Sequence, residues 1–491
     1  MREEKVTHIK RRDFLKILSI GGLTITVLSN STGCRIIKAA IVGDYKEMFV
    51  PNVWLHISED DNVIVIVNKS EMGQGVYTSL PMIVADELGA NWEKINVLAA
   101  PAKQAYTIPT GSQETGGSTS IRLMYEPLRL AGASAREMLI EAAANKWKEK
   151  KSNCYTKDGK VISINGKEIN FGSLVQYAKK LTPPQKPVLK NEEDFNFIGK
   201  SMKRVDTLLK VNGKAEFGID IFTENMVYAV VKRPLYYGSK IIDFDKNSVK
   251  NIKGFIDAFN ISRGVAITAK TIDAALKAKE LIQVDTSPGI MPELDTNYIE
   301  KALINSINRK GIIAQNIGNV EQNINEAATK IESDYLLPYL AHANMEPMNC
   351  TAVVSKDFCK IWTPTQSQTD ALQIAKKITG LPENKIYIYT TYLGTGLGRR
   401  SDVDYVGEAV EISKNIGLPV KLLWTREDDF THDFYRPASY SVINAGLDAR
   451  GRLLSWKHKI AVPSLWERID PTTMKNGIDN AAVDGLRDLV Y

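Results

Sequence analysis

Cysteine and histidine are scarce in this chain of 491 residues, which has four Cys and five His. The Cys residues stand at 34, 154, 350 and 359, and no two form CxxC. That spacing suits no iron–sulfur ligand set, so any such cluster would belong to another chain. The His residues (8, 56, 342, 432, 458) lie far apart, without an HxxxH or a His/carboxylate cluster. A catalytic metal held by protein side chains is therefore not expected. Cys350 and Cys359 read as lone buried thiols, with a disulfide as the alternative in an oxidising compartment. Long apolar runs are missing too. The N-terminal stretch Ile17 to Leu28 contains Gly21, Gly22 and two Thr. It falls short of the roughly 20 residues that span a bilayer. The net charge of +6 comes from scattered Lys and Arg rather than one aromatic-studded basic stripe, which argues against a nucleic-acid partner.

What is present begins with glycine. Ser70-Glu71-Met72-Gly73-Gln74-Gly75 follows the β-branched run Val63-Ile64-Val65-Ile66-Val67, the composition of a buried strand. Leu80, Ile83, Val84 and Leu88 then repeat at helical spacing, with Gly89 at the C-cap position. A glycine loop that leads into a helix N-terminus brings unpaired N–H groups and the positive end of the macrodipole to a phosphate. Gln74 adds a neutral amide that both donates and accepts. The pattern suits a phosphate-bearing cofactor with a polar heterocycle. It recurs downstream as a strand at Ile386–Tyr389, a loop Gly394-Thr395-Gly396-Leu397-Gly398-Arg399-Arg400, a helix over about 402–415, and a strand at Val420–Trp424. As a dinucleotide fingerprint this loop is imperfect, because Arg399 stands where the third Gly belongs. An NAD-dependent dehydrogenase is thus the weaker reading, and a plain tight turn is the structural alternative for either loop.

The N-terminus carries Lys10-Arg11-Arg12-Asp13-Phe14-Leu15-Lys16 ahead of the apolar stretch. The pair Arg11 and Arg12 matches the twin-arginine export pattern, against the alternative of a basic amphipathic helix. Localisation is then the periplasm or the outer face of the cytoplasmic membrane. That route carries folded, often cofactor-loaded proteins, which hints at a bacterial redox protein. Cleavage near Cys34, cleavage near Ala39-Ala40, and retention as an anchor all stay open.

With 44% hydrophobic residues, the chain can bury a large core in roughly two to four domains. The reading divides it into a signal and linker over 1–45, a first cofactor-binding region over 46–199, an α/β segment over 200–290 and a second cofactor-binding region over 291–491. The fold class is mixed α/β or α+β. Inside the first region lie a hairpin turning at Glu59–Asn62 and a second glycine loop, Gly111 to Ser120. A long helix follows, with Leu128, Ala131, Ala135, Met138, Leu139, Ala142 and Ala143 on one face. Pro183-Pro184-Gln185-Lys186-Pro187 reads as a linker. The Asn-rich stretch from Asp295 to Glu326 reads as a traversing connection, and Arg426–Asp429 as a solvated turn.

Taken in order, the motifs resemble those of the molybdopterin-binding large subunit of the xanthine oxidase family. The likeness is to its exported branch of isoquinoline 1-oxidoreductase β subunits and membrane-side aldehyde dehydrogenases. They are Glu71–Gly75, Thr115–Ser120, Lys210-Val211-Asn212-Gly213-Lys214-Ala215, Ala341–Met348, Trp362–Gln366, Gly394–Arg400 and Trp424–Asp429. The resemblance implies the molybdenum-hydroxylase large-subunit architecture, with a hammerhead-like domain between cofactor-binding domains. It also implies a molybdenum–pterin cofactor in the cytosine dinucleotide form, which brings its own sulfur ligands.

By the same resemblance, Gly73, Gln74 and Gly75 would line the pterin and phosphate. Thr115, Gly116, Gly117 and Ser118 would line the nucleotide side. Gly396, Leu397 and Gly398 would approach the metal face. Arg399 and Arg400 are candidates for neutralising a cofactor phosphate or a substrate carboxylate, with an ordinary exposed pair as the alternative. His342 and Glu346 are substrate-pocket candidates, each with a structural alternative. The implied reaction is hydroxylation of an aldehyde, or of the carbon beside a ring nitrogen, with oxygen derived from water. Electrons would pass to a separate 2Fe–2S subunit; for an exported enzyme the final acceptor is then a cytochrome, such as a cytochrome c, or a quinone rather than soluble NAD.

Two departures stand out. Thr395 and Leu397 replace the Gly and Phe of the family's Gly-Gly-Gly-Phe-Gly loop, which removes an aromatic face. In addition, family members continue beyond Tyr491 with a segment that holds the catalytic glutamate. Val406-Gly407-Glu408 imitates that glutamate's local sequence but sits in the wrong element, as a solvated helix residue. The expectation is a chain without its own base, inactive until the C-terminal segment is supplied. The alternative is a non-catalytic fragment or decayed homologue that keeps the fold.

Overall fold

The computed structural model describes residues 35–36, 49–108, 111–291, 293–469, 471–474 and 477–483. The twin-arginine pair Arg11 and Arg12 lies outside the described residues. Contacts divide the chain into two compact units. The first combines the chain up to Val231 with Lys250–Glu280 and Asn344–Trp424, and the second combines Lys232–Val249, Leu281–Ala343 and the chain from Thr425 onward. The expected 200–290 segment is therefore shared between them.

The first unit is built on two large sheets, beside a small three-stranded one of Cys154–Lys157, Lys160–Ser163 and Glu168–Asn170. In the smaller of the two large sheets, Val63–Val67 lies between Leu55–Ile57, its antiparallel hairpin partner, and Ile95–Ala99, which runs parallel to it. Every residue of Val63–Val67 is buried, as the unbroken β-branched run requires. The parallel pairing needs a crossover, and the helix Val76–Leu88 supplies it. Gly89 ends that helix in the left-handed conformation (φ 70°), and an added Cβ would lie 2.6 Å from the Thr156 hydroxyl. The long helix Thr119–Trp147 packs on Val76–Leu88 and buries all seven residues of the expected face.

The larger sheet has seven strands in the order Phe255–Ile261, Gly264–Ala269, Val227–Lys232, Val420–Leu423, Asn349–Val354, Cys359–Thr363 and Ile386–Thr390. Its Cys359–Thr363 and Ile386–Thr390 strands are parallel. The helices Gln368–Thr379 and Asp404–Ile416 cover its core, in which Tyr405, Val406, Ala409 and Val410 are buried. Cys350 and Cys359 are both free and buried. Cys359 pairs with Val354 across the ladder, four positions from Cys350. That offset is about 13 Å of strand, beyond the reach of a disulfide.

The second unit holds an antiparallel sheet of Thr329–Leu337, Ser439–Leu447 and Leu453–Ala461. Two helices pack on it, Thr296–Ile307 and Val320–Glu326. These correct the expected traversing connection. Asp295 and Asn319 each accept a hydrogen bond from the backbone N–H three residues on, an N-cap that Asn-rich composition disguised as loop. The expected solvated turn after Trp424 is also a helix, Arg426–Thr431, opened by a Thr425/Asp428 capping box with Asp428 and Asp429 buried.

The proline segment at 183–187 leads into a strap fastened to the first unit. Asp86 accepts the N–H groups of Asn196, Phe197 and Ile198 at 2.7, 3.0 and 2.7 Å. Glu87 accepts that of Lys190 at 3.1 Å while paired with Arg129 and Arg136. Among the described residues, no helix is long and apolar enough to cross a membrane.

Candidate functional site

The glycine loop begins where the strand Val63–Val67 ends. Asn68, Lys69, Ser70 and Glu71 remain buried, so the polar groups there must find partners inside the protein. Lys69 donates to the Glu114 carbonyl at 2.7 Å. Burial pulls its ammonium below the usual lysine range, and the Glu114 charge opposes that shift. Ser70 accepts from Gln368 Nε2 at 2.9 Å and donates to the Thr365 carbonyl at 2.7 Å. The loop needs glycine at two positions, Gly73 (φ 115°) and Gly75 (φ 88°), which L-residues with side chains rarely adopt.

The N–H groups of Gly73 and Gly75 donate to Glu71 Oε1 at 2.9 and 3.3 Å, and that of Tyr77 donates to Oε2 at 3.2 Å. The Gln74 side chain closes the loop on itself. Its Oε1 accepts from Met72 N and its Nε2 donates to the Ser70 carbonyl, both at 2.8 Å.

Arg204 and Lys210 flank this loop. Arg204 donates to Glu71 at 2.9 Å, to Asp206 at 2.8 and 2.7 Å, and to the Gly73 carbonyl at 2.6 Å. Lys210 reaches Asp206 at 2.5 Å and Glu71 at 3.4 Å. Burial pushes the Asp206 carboxyl up, but Arg204 and Lys210 outweigh it and hold the group below its usual range. Beside them, burial and the charges of its neighbours raise the Tyr392 hydroxyl well above the tyrosine range.

Two further loops converge on the first. Thr115 Oγ1 accepts from Ser70 N at 2.8 Å, its N–H donates to the Gln366 carbonyl at 2.8 Å, and its own carbonyl accepts from Gln366 Nε2 at 2.8 Å. Gln366 Oε1 then accepts from Gly398 N at 3.1 Å. Gly396 lies so close that a Cβ there would stand 2.5 Å from both Gln366 Oε1 and Met72 Sδ. Thr115, Gly396 and Gly398 thus meet the first loop through Ser70, Met72 and Gln366. Gly116, Gly117 and Ser118 are exposed just beyond, at the start of the helix Thr119–Trp147. Thr395 and Leu397 adopt φ of 68° and 54°, and the Leu397 side chain is 66% exposed.

Glu346 and Arg400 brace the third loop. Glu346 accepts from Ile219 N at 3.0 Å, Asn349 Nδ2 at 2.9 Å and Gly394 N at 2.8 Å. Gly394 tolerates no side chain, since a Cβ would meet Glu346 Cβ at 2.3 Å. Arg400 donates to the carbonyls of Thr395 at 2.9 Å and Pro364 at 3.3 Å and to the Glu346 carbonyl, and it reaches Glu346 Oε2 at 3.4 Å.

Several sequence candidates are held by contacts that the sequence did not show. Arg399 is not part of an exposed pair. It is fully buried, bidentate to Asp404 at 3.0 and 3.1 Å, and stacked over Trp424. Glu408 is buried rather than solvated, and accepts from Trp424 Nε1 at 2.8 Å. His342 Nδ1 lies 2.9–3.0 Å from both oxygens of Asp433 in the second unit, a held structural pair, whereas Glu346 belongs to the first unit. Sequence reasoning assigned no role of their own to Ser70, Gln366, Gln368, Arg204, Asp206 and Lys210, and it read Arg400 only together with Arg399. The i,i+4 pair Asp206/Lys210 was a usable signal; the others lie far from their partners in sequence.

The geometry suits a group with a polar heterocycle. Among the described residues, the buried acceptors Gln113 Oε1 and Gln368 Oε1 have no hydrogen-bond partner. An added Cβ on Gly73 or Gly116 would meet nothing within 4 Å. Residues 22–216 and 304–480 each match the model of a molybdopterin cofactor-binding domain. The chain belongs to the xanthine oxidase family, among its molybdopterin-binding large subunits.

Its relatives there include the membrane-bound aldehyde dehydrogenase [pyrroloquinoline-quinone] of Gluconacetobacter polyoxogenes, 30% identical over 97% of this chain and 63% of that protein. The isoquinoline 1-oxidoreductase β subunit of Brevundimonas diminuta is 27% identical over 95% and 66%. A nicotinate dehydrogenase subunit from Pseudomonas putida is 26% identical over 84% and 35%. The chain thus spans less than two thirds of the length of each. The first relative's name carries a quinone, but both domain models that match this chain are molybdopterin-binding, and the family's cofactor follows them. The described fold is mixed helix and sheet, with its two halves matching molybdopterin cofactor-binding domains.

Proposed function

We propose that this chain forms the cofactor-binding part of an exported molybdenum hydroxylase that oxidises an aldehyde or an N-heterocycle. The observation that carries this reading is the convergence of the three loops. Ser70 and Thr115, from the first matched domain, hydrogen-bond to Thr365, Gln366 and Gln368 of the second. The names of the relatives, an aldehyde dehydrogenase and two N-heterocycle oxidoreductases, support the substrate class.

When bound, the molybdopterin group supplies the two-electron oxidation of carbon with oxygen taken from water. The chain's own residues hold and orient it. Gln74, Gly73 and Gly116 present open surface, while Gln113 and Gln368 offer unpaired acceptors. Glu71, Glu346 and Glu408 are each held by backbone N–H groups, Arg or Trp, so none is poised to take a proton. We place the proton acceptor in the part of the relatives that this chain does not span. In this reading the cofactor is the cytosine dinucleotide form, and Arg11 and Arg12 direct export to the periplasm. Electrons leave through a 2Fe–2S partner subunit toward a cytochrome c.

The test is elemental and kinetic. The chain is purified from a molybdopterin-producing host together with the segment that completes the relatives' length. It is expected to hold molybdenum and to reduce an artificial dye with an aldehyde or N-heterocycle. Absence of molybdenum, where control molybdoenzymes load, would refute the reading. Full dye reduction by the 491-residue chain with only the iron–sulfur subunit would refute the assignment of the base.

A further inference from the structure

A glycine loop before a helix N-terminus ordinarily recruits a phosphate, because its N–H groups point at one spot and carry partial positive charge. In this chain that spot is taken. Glu71, whose side chain is fully buried, collects the N–H groups of Gly73, Gly75 and Tyr77. Arg204 and Lys210 neutralise it, and the same two cations serve the buried Asp206. Two carboxylates against two cations leave no surplus positive charge at the loop. Arg204 also donates to the Gly73 carbonyl at 2.6 Å, which locks the loop in the shape that keeps the carboxylate inside. An arriving phosphate would find its donors used and a like charge a few ångströms away, a combination that disfavours binding.

We infer that Glu71 is the resident anion of the 71–77 loop and bars phosphate from it. The loop then meets a ligand only through neutral groups. Gln74 is exposed and makes one bond from each end of its amide, which leaves one donor and one acceptor position for the edge of a heterocycle. Resting on the molybdopterin reading, this makes Glu71 a specificity-determining residue that sorts the cofactor's heterocycle to this loop and its phosphates elsewhere.

The test uses inorganic phosphate and the 491-residue chain without cofactor. Hydrogen–deuterium exchange of residues 70–78 is followed with and without phosphate, beside calorimetric titration. In the wild type, phosphate is expected to leave exchange at 70–78 unchanged. Glu71→Ala empties the nest and leaves Arg204 and Lys210 facing it. It is expected to bind phosphate at least about tenfold more tightly than the wild type, with protection at 70–78 that weakens in high salt and disappears when Lys210→Ala is added. Phosphate protection of 70–78 in the wild type would overturn the inference, and this arm decides the matter even if Glu71→Ala does not fold. A folded Glu71→Ala with no gain in phosphate binding would overturn it as well. A failure to load molybdenum would sink the cofactor reading but leave these phosphate results standing.

Discussion

Replacing Arg400 with Met should loosen the third loop without unfolding the sheet beneath it. The guanidinium is wholly buried and donates to three backbone carbonyls, at Thr395, Pro364 and Glu346, while facing the Glu346 carboxylate at 3.4 Å. Removing one partner of a buried ion pair typically costs about 3–5 kcal/mol. The low end applies here for two reasons. Glu346 keeps three N–H donors after the change, and the Pro364 carbonyl keeps the Tyr405 hydroxyl at 3.0 Å. A loss of about 3 kcal/mol in local stability corresponds to roughly a hundredfold faster amide exchange. Exchange measured by mass spectrometry should show that increase over residues 364–368 and 392–400, and none over Val63–Val67. Arg400→Lys should recover little, because one ammonium cannot reach carbonyls arranged for a planar fork. Exchange in Arg400→Met within about threefold of wild type, or full rescue by Lys, would refute the assignment of Arg400 as the brace of this loop.

Four other outcomes follow from the structure. Gln368→Ala should cost about 1–3 kcal/mol in urea unfolding of the first unit, because it strips Ser70 Oγ and Thr390 Oγ1 of a buried donor. Gln74→Ala, in an exposed loop, should cost nearer 1 kcal/mol and act chiefly on cofactor retention; equal stability losses would count against this distinction. Leu397→Gly should raise stability by up to about 1 kcal/mol, since Leu397 is exposed at a φ of 54° that glycine adopts freely; a lowered melting temperature would contradict it. His56 is buried, and burial lowers its pKa from 6.5 to about 4. Between those values the unfolded chain binds a proton that the folded chain refuses. Stability is therefore full above pH 6.5 and falls as the pH drops toward about 4, by about 3 kcal/mol at most; urea midpoints of wild type and His56→Asn that show the same slope across that window would disprove it.

Local pattern made much of this protein legible. The strand–loop–helix unit around Gly73, the seven buried positions of the helix Thr119–Trp147 and the glycine cap at Gly89 were all readable, because each depends on side-chain periodicity or on a backbone angle that one residue type satisfies. The order of the motifs was enough to indicate the family. The helices Thr296–Ile307 and Val320–Glu326 were not legible, since Asn and Asp signal loops and helix caps alike.

The sequence by itself determined which loops need glycine and which segments alternate or repeat. Only the tertiary structure decided what the charged residues do. Arg399 and Arg400 look like a surface pair, yet they are buried against Asp404 and Glu346. Glu71 looks like part of a phosphate loop, yet it fills the nest that a phosphate would use. The reason is that a buried charge is tolerable only beside partners that meet it in space. Arg204 stands 133 residues from Glu71 in the chain, and no local pattern records that distance.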